Sequence, residues 1–209
     1  CASGACQCTS GFASCDGSST NGCETNLNTS SAHCGGCGSP CQANEQCTGG
    51  SCACAPGYGD CDANPANGCE TNLQTSAAHC NACGAACNAN QVCGAGACQC
   101  APGYGNCDGN STNGCETNLN TAGSHCGGCG NACGANRSCS AGACQCNVGF
   151  GNCDGNSANG CEANLATSES HCGACGSPCG ANQTCTTGSC QCNVGFGDCD
   201  GNAANGCEA

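Results

Sequence analysis

The 209-residue sequence has no Met, no Trp and no Ile, and aromatic residues make up 2% of it. Each complete stretch of about fifty residues holds one Leu (Leu27, Leu73, Leu119, Leu165) and one aromatic (Phe12, Tyr58, Tyr104, Phe150, Phe196), and the only valines are Val92, Val148 and Val194. Burying one Leu or Phe gives roughly 1.5–3 kcal/mol, while ordering each residue costs roughly 1–2 kcal/mol of backbone entropy. Two or three such side chains cannot hold a domain, so an ordinary hydrophobic core is excluded. An enzyme pocket, which needs an apolar lining, goes with it. Lys and Arg are nearly missing too: Arg137 stands alone, and the formal net charge is −13. Nucleic acid, which is bound by neutralising phosphates, is excluded as a partner, and anionic membrane surfaces are disfavoured. No apolar run approaches the ~20 residues of a membrane-spanning helix.

What the sequence has in abundance is cysteine, 37 of them, together with 37 glycines. A Cys-Asp pair recurs every 46 residues, at Cys15, Cys61, Cys107, Cys153 and Cys199. The units are 15–60, 61–106, 107–152 and 153–198, with partial repeats 1–14 and 199–209, and the sequence reads as a piece of a longer array. Each complete unit carries eight cysteines, an even number. Closing a loop of about 15 residues with a disulfide is worth about 3 kcal/mol in the chain-entropy model, so four per unit supply what the core does not. Disulfides persist in oxidising compartments, which places the protein outside the cell or on its surface.

Within a unit, Cys15–Cys23 is turn chemistry throughout, and Asn21-Gly22 favours positive φ. Glu24–Thr29 is the one place with strand or single-turn potential, and Leu27 points into whatever small core exists. His33 precedes the glycine-flanked Cys34-x-x-Cys37, as His79, His125 and His171 precede the equivalent pairs. The expected fold class is therefore small disulfide-rich repeats, loop-rich with short β-hairpins, joined as a tandem rod or solenoid. No Gly/Ser- or Pro-rich spacer separates the units, and flexible beads would need one.

Four chemistries fit parts of the pattern. His beside Cys-x-x-Cys is zinc-site and metallothionein vocabulary, giving a thiolate metal-storage reading. Calcium is the one cofactor in view: Asp16, Asn21 and Glu24, and again Asp108, Asn113 and Glu116, bracket an Asn-rich loop that offers oxygens, although the spacing is not that of an EF-hand. The ordinary alternative is an Asx-turn at the Asp and a bend at Asn-Gly. Glycans could attach at the sequons Asn28, Asn110, Asn136 and Asn182, or at Thr29, Thr75, Thr121 and Thr167, which hold one position in all four copies. The sequons are no more frequent than the abundant Asn, Ser and Thr give by chance. Catalysis by Cys and His is not expected, because it would repeat an active site in every unit with no pocket to serve it.

The stretch Cys52-x-Cys54 with Gly57-Tyr58, repeated at Cys98-x-Cys100 with Gly103-Tyr104 and at Cys144-x-Cys146 with Gly149-Phe150, resembles the C-terminal half of an EGF-like domain. The resemblance covers about a third of each unit; the last loop is about two residues shorter, and the calcium-binding consensus is missing. The order GCETN, HCGxCG, CxCxxG is similar to that of cysteine-rich tandem repeats in predicted surface proteins of myxobacteria and similar organisms. Eight cysteines allow 105 pairings, which sequence does not choose among. The EGF-like resemblance implies Cys37–Cys47, Cys41–Cys52 and Cys54–Cys61, with Cys23–Cys34 left to close the Leu-bearing loop, and equivalents every 46 residues. Cys52 and Cys54, two apart on a strand, face one side and need different partners. Together these features predict an extracellular structural protein, self-associating into filaments or surface fibres and carrying glycans. The alternatives are an EGF-like adhesive array that binds carbohydrate or a protein, and metal storage.

Overall fold

A computed structural model describes residues 7–18, 20–202 and 205–208; parts of the partial repeats 1–14 and 199–209 lie outside them. The described residues contain no helix, and all regular structure is two-stranded and antiparallel. Two kinds of ribbon alternate along the chain. The longer is a hairpin of two four-residue strands: Glu45–Thr48 with Ser51–Cys54, Gln91–Gly94 with Ala97–Cys100, Arg137–Ser140 with Ala143–Cys146, and Gln183–Thr186 with Ser189–Cys192. The shorter pairs two residues with two, as Tyr58–Gly59 with Thr71–Asn72 and Phe150–Gly151 with Ala163–Asn164.

The hairpins follow from their turns. Gly49 and Gly50 both have positive φ (61° and 81°), as do Ala95 and Gly96, Ala141 and Gly142, and Thr187 and Gly188. Two consecutive positive φ values make the two-residue turn whose twist matches that of the flanking strands. In register, Cys47 faces Cys52 directly. Each then bonds elsewhere, Cys47 to Cys34 and Cys52 to Cys41. The sulfurs of Cys34, Cys41 and Cys52 lie within 4.8 Å of one another, so the two disulfides stack beneath the hairpin.

These stacks and the disulfides of the Cys54–Cys69 series are the core. Apart from Ala163, every buried apolar residue among the described ones is a cysteine. Leu73, Leu119 and Leu165 are half-buried. Each packs on the second glycine of its Gly-aromatic-Gly segment beside a disulfide: a Cβ added at Gly105 would lie 3.2 Å from Leu119 Cδ2 and 3.1 Å from Cys129 Sγ. The lone Leu thus flanks the disulfide core at half burial and is not itself among the buried residues.

The disulfide ladder corrects three of the four pairs that the EGF-like resemblance implied. Cys41–Cys52 does form. Cys54, however, bonds Cys69 and not Cys61; Cys61 bonds Cys83; Cys37 bonds Cys15 and not Cys47; Cys34 bonds Cys47 and not Cys23; and Cys23 bonds Cys8. The same spacings, 15, 22, 13 and 11 residues, return at Cys146–Cys161, Cys153–Cys175, Cys172–Cys185 and Cys179–Cys190. Pairing of Tyr58–Gly59 with Thr71–Asn72 loops out the residues between them and turns Cys69 back toward Cys54. Gly35 seats under the hairpin turn, where an added Cβ would lie 2.5 Å from the Gly50 carbonyl oxygen, and that seating carries Cys34 beneath Cys47. Covalently closed blocks therefore run Cys8–Cys52 and Cys54–Cys98, and the geometric expectation that Cys52 and Cys54 take different partners is met: one bonds backward, the other forward.

The chain divides into two compact units. The first is formed by residues up to Ala101 with Thr112–Gly114, the second by Pro102–Ser111 and the residues from Cys115 onward.

Candidate functional site

Three constructions recur and account for most of the polar residues singled out from the sequence. The first closes the Cys-Asp loop. Asp16 Oδ1 accepts from the Ser18 N–H (2.8 Å) and Oδ2 from the Asn21 side-chain amide (2.7 Å), so the loop is an Asx-turn. Glu24 Oε1 reaches back across it to accept from the Cys15 N–H (2.7 Å) and the Asp16 N–H (3.3 Å). The pattern repeats at Asp154, Asn159 and Glu162, where Cys153 N–H lies 2.8 Å from Glu162. In the third copy Glu116 accepts from Cys107 and Asp108, and Asp108 accepts from the Asn110 N–H; Asn113 is also partnered.

These bonds favour the charged forms. Hydrogen bonding from the Ser18 N–H, then from Asn21, holds Asp16 below the usual carboxylate range. Asp62, Asp154 and Asp200 are lowered in the same way by the N–H two residues on and by an Asn side chain. Glu24 and Glu116 are lowered by their own backbone N–H and then by that of Cys15 or Cys107. In the second copy an additional acid joins: Asp60, Asp62 and Glu70 each bring one oxygen within 4.8 Å of the others.

The second construction latches one block to the next. Asn44 sits in the left-handed region (φ 56°) just before the hairpin, a conformation that Asn tolerates better than most residues. Its backbone oxygen accepts from the Ala55 N–H (2.8 Å), and its side chain donates to the Cys69 carbonyl (2.9 Å). The Cys69 N–H in turn donates to the Ala43 carbonyl (2.9 Å). Gly68 (φ 81°) makes this approach feasible: a Cβ there would collide with the Ala43 oxygen and nitrogen. In the second unit Asn136 holds Cys161 (3.0 Å) and Asn182 holds Cys207 (2.8 Å) in the same way. Sequence reading singled out Asn136 and Asn182 only as sequons and passed over Asn44. The signal was there, because Ala-Asn stands at 43–44, 89–90, 135–136 and 181–182.

The third construction explains the histidines. Nδ1 of His33, His79, His125 and His171 accepts from the N–H of Gly38, Gly84, Gly130 and Gly176 at 2.9–3.0 Å, tying off the turn after Cys-x-x-Cys. The neighbouring sulfurs are disulfides, which are not thiolate metal ligands. Among the described cysteines only Cys199 carries a free thiol.

Of the proposed glycan acceptors, Asn28, Asn110, Thr29, Thr75, Thr121 and Thr167 are exposed. Asn136 and Asn182 are also exposed, but their side-chain nitrogens are the latch donors, and a glycan there would displace the bond to Cys161 or Cys207.

One recess differs between copies. About 350 Å³ opens between Gly149, Leu165, Ala166, Gly173, Thr187 and Gly188. No family model, curated protein or solved structure matches the chain.

Proposed function

We propose that this cysteine-rich repeat protein is an extracellular structural protein whose disulfide-stapled blocks build a stiff filament or surface fibre. Its heavy disulfide bonding is that of secreted proteins, and no helix among the described residues is long and apolar enough to cross a membrane. The observation that carries the reading is the latch. Within each compact unit the Asn side chain of one block and the backbone bond beside it hold the first loop of the next (Asn44 to Cys69, Asn136 to Cys161), and a single residue, Ala53 or Gln145, separates the last cysteine of one closed block from the first of the next. No spacer intervenes. Such nearest-neighbour coupling makes a repeat array resist bending and local unfolding alike. Glycans on the exposed Thr29 series or on Asn28 and Asn110 would decorate the fibre without touching the latches.

The test is mechanical and redox-linked. Disulfide-intact protein should be an elongated particle of constant cross-section by small-angle scattering and should resist elastase. Dithiothreitol should remove both properties. Unchanged elastase resistance after complete reduction would sink the staple argument.

Calcium binding is the subsidiary reading, supported by the approach of Asp60, Asp62 and Glu70 in the second copy. Calorimetric titration of the intact chain with Ca²⁺ checks it, with Asp60→Asn expected to remove the heat. Metal storage needs thiolates, and the disulfide ladder holds those sulfurs oxidised.

A further inference from the structure

At Ala166 the fourth block departs from its sisters in a way that makes room. In the first block the equivalent residue is Asn28, and its carboxamide lies across the gap. A Cβ added at Gly11 would collide with Asn28 Nδ2, and one at Gly50 would lie 3.4 Å from Asn28 Oδ1. Asn120 does the same between Gly103 and Gly142, and Gln74 does so between Gly57 and Gly96. In the fourth block Ala166 stands there. Nothing lies within 4 Å of a Cβ built on Gly149, and no side chain lies within 4 Å of one built on Gly188.

Two further changes lie at the opening or next to it in the chain. Thr187 holds φ 51° where the sisters have Gly49, Ala95 and Ala141. A β-branched residue at positive φ is a backbone outlier, and such strain gathers at ligand clamps. Beside Gly149, Val148 is fully exposed where the first two sisters in this series with a Gly-Tyr segment carry Pro56 and Pro102.

We infer that the recess is a binding subsite for the acetamido group of an N-acetylated amino sugar. The carboxamide that fills the space in three sister blocks defines the chemistry the walls accept: a planar amide laid between two glycine backbones beside Leu165. A volume of about 350 Å³ is near the lower end of small-molecule pockets, roughly 300–1,000 Å³, and has room for the attached sugar ring. A chain of net charge −13 selects a neutral ligand over an anionic one. A protein partner would need a total interface of roughly 1,600 Å², which six residues around one recess do not supply. The inference is independent of the filament reading, since it rests on one block alone.

The experiment is an amide-resolved NMR titration of the disulfide-intact chain with N-acetylglucosamine, and separately with glucose, which has no acetamido group. Saturable shifts at Gly149, Thr187 and Gly188 with the first sugar, and none with the second at equal concentration, are expected. Ala166→Asn restores the sister arrangement and should weaken binding about tenfold or more. Asn120→Ala should open a second recess and add shifts at Gly103 and Gly142. Equal binding by Ala166→Asn, equal shifts with glucose, or no shifts with either sugar would overturn the inference. So would tighter binding of N-acetyl-asparaginamide than of the sugar, which would assign the recess to a peptide side chain.

Discussion

Replacing Gly68 by Ala isolates the contribution of the block-to-block latch, because Gly17 provides a matched control. Both glycines sit at positive φ, 81° and 74°, and an Ala at either position pays for the left-handed conformation, roughly 1–2 kcal/mol. Around Gly17 nothing lies within 4 Å of the added methyl, so Gly17→Ala should cost no more than that. At Gly68 the methyl meets the Ala43 nitrogen at 2.8 Å and Gln42 Cβ at 2.8 Å, and collides with the Ala43 carbonyl oxygen. Two of these atoms are backbone and cannot rotate away. Overpacking adds roughly 1–3 kcal/mol. Displacement of Cys69 from Ala43 and Asn44 loses two hydrogen bonds, each worth roughly 0.5–1.5 kcal/mol. The expected total is about 3–8 kcal/mol, against about 1–2 for the control. Amide hydrogen exchange at Cys69 reads the joint directly, because its N–H donates to the Ala43 carbonyl across the joint. Gly68→Ala should accelerate exchange there by at least about a hundredfold, with Gly17→Ala leaving it unchanged. Equal exchange at Cys69 in the two variants would refute the latch.

Acid should loosen the Cys-Asp loops. The carboxyls of Asp16, Asp62, Asp154, Asp200, Glu24 and Glu116 are lowered in the fold by hydrogen bonds. Their contribution is complete above the ordinary carboxylate values, about 4, and is lost as pH falls through the lowered ones. Protection of the Cys15 and Cys107 amides, corrected for the intrinsic pH dependence of exchange, should therefore fall below about pH 4 and stay flat from 5 to 8; a fall centred near 6 would contradict the assignment. Peptide mapping under non-reducing conditions should recover Cys61–Cys83 and Cys146–Cys161, and a Cys54–Cys61 peptide would overturn the ladder. His125→Ala removes the acceptor for Gly130 and should lower stability by about 0.5–1.5 kcal/mol. Zinc should not change the unfolding midpoint of the intact protein, which separates this role from metal ligation.

Much of this protein was legible without coordinates because its chemistry is so one-sided. The absence of Ile, Met and Trp beside 37 cysteines left stability to covalent bridges or a metal, with disulfides the better candidate. Two-residue turns at 49–50 and 95–96 and an Asx-turn at Asp16 are local matters, set by Gly, Asn and Asp within a few residues. Pairing of cysteines is not local. Cys54 has Cys61 seven residues on, yet bonds Cys69, because a two-residue ribbon at Tyr58–Gly59 and the Asn44 side chain bring Cys69 to it. Neither contact has a sequence signature strong enough to outweigh an EGF-like spacing. The roles of Glu24 and His33 were hidden for a related reason: each acts on a backbone N–H several residues away, and the residue type alone suits a cation as well as a loop closure. Composition and period thus determined the class of fold, and its heavy disulfide bonding is typical of secreted proteins. Tertiary structure alone decided which sulfurs meet, which asparagines join the blocks and where one missing carboxamide opens a recess, because each depends on groups brought together from distant parts of a block.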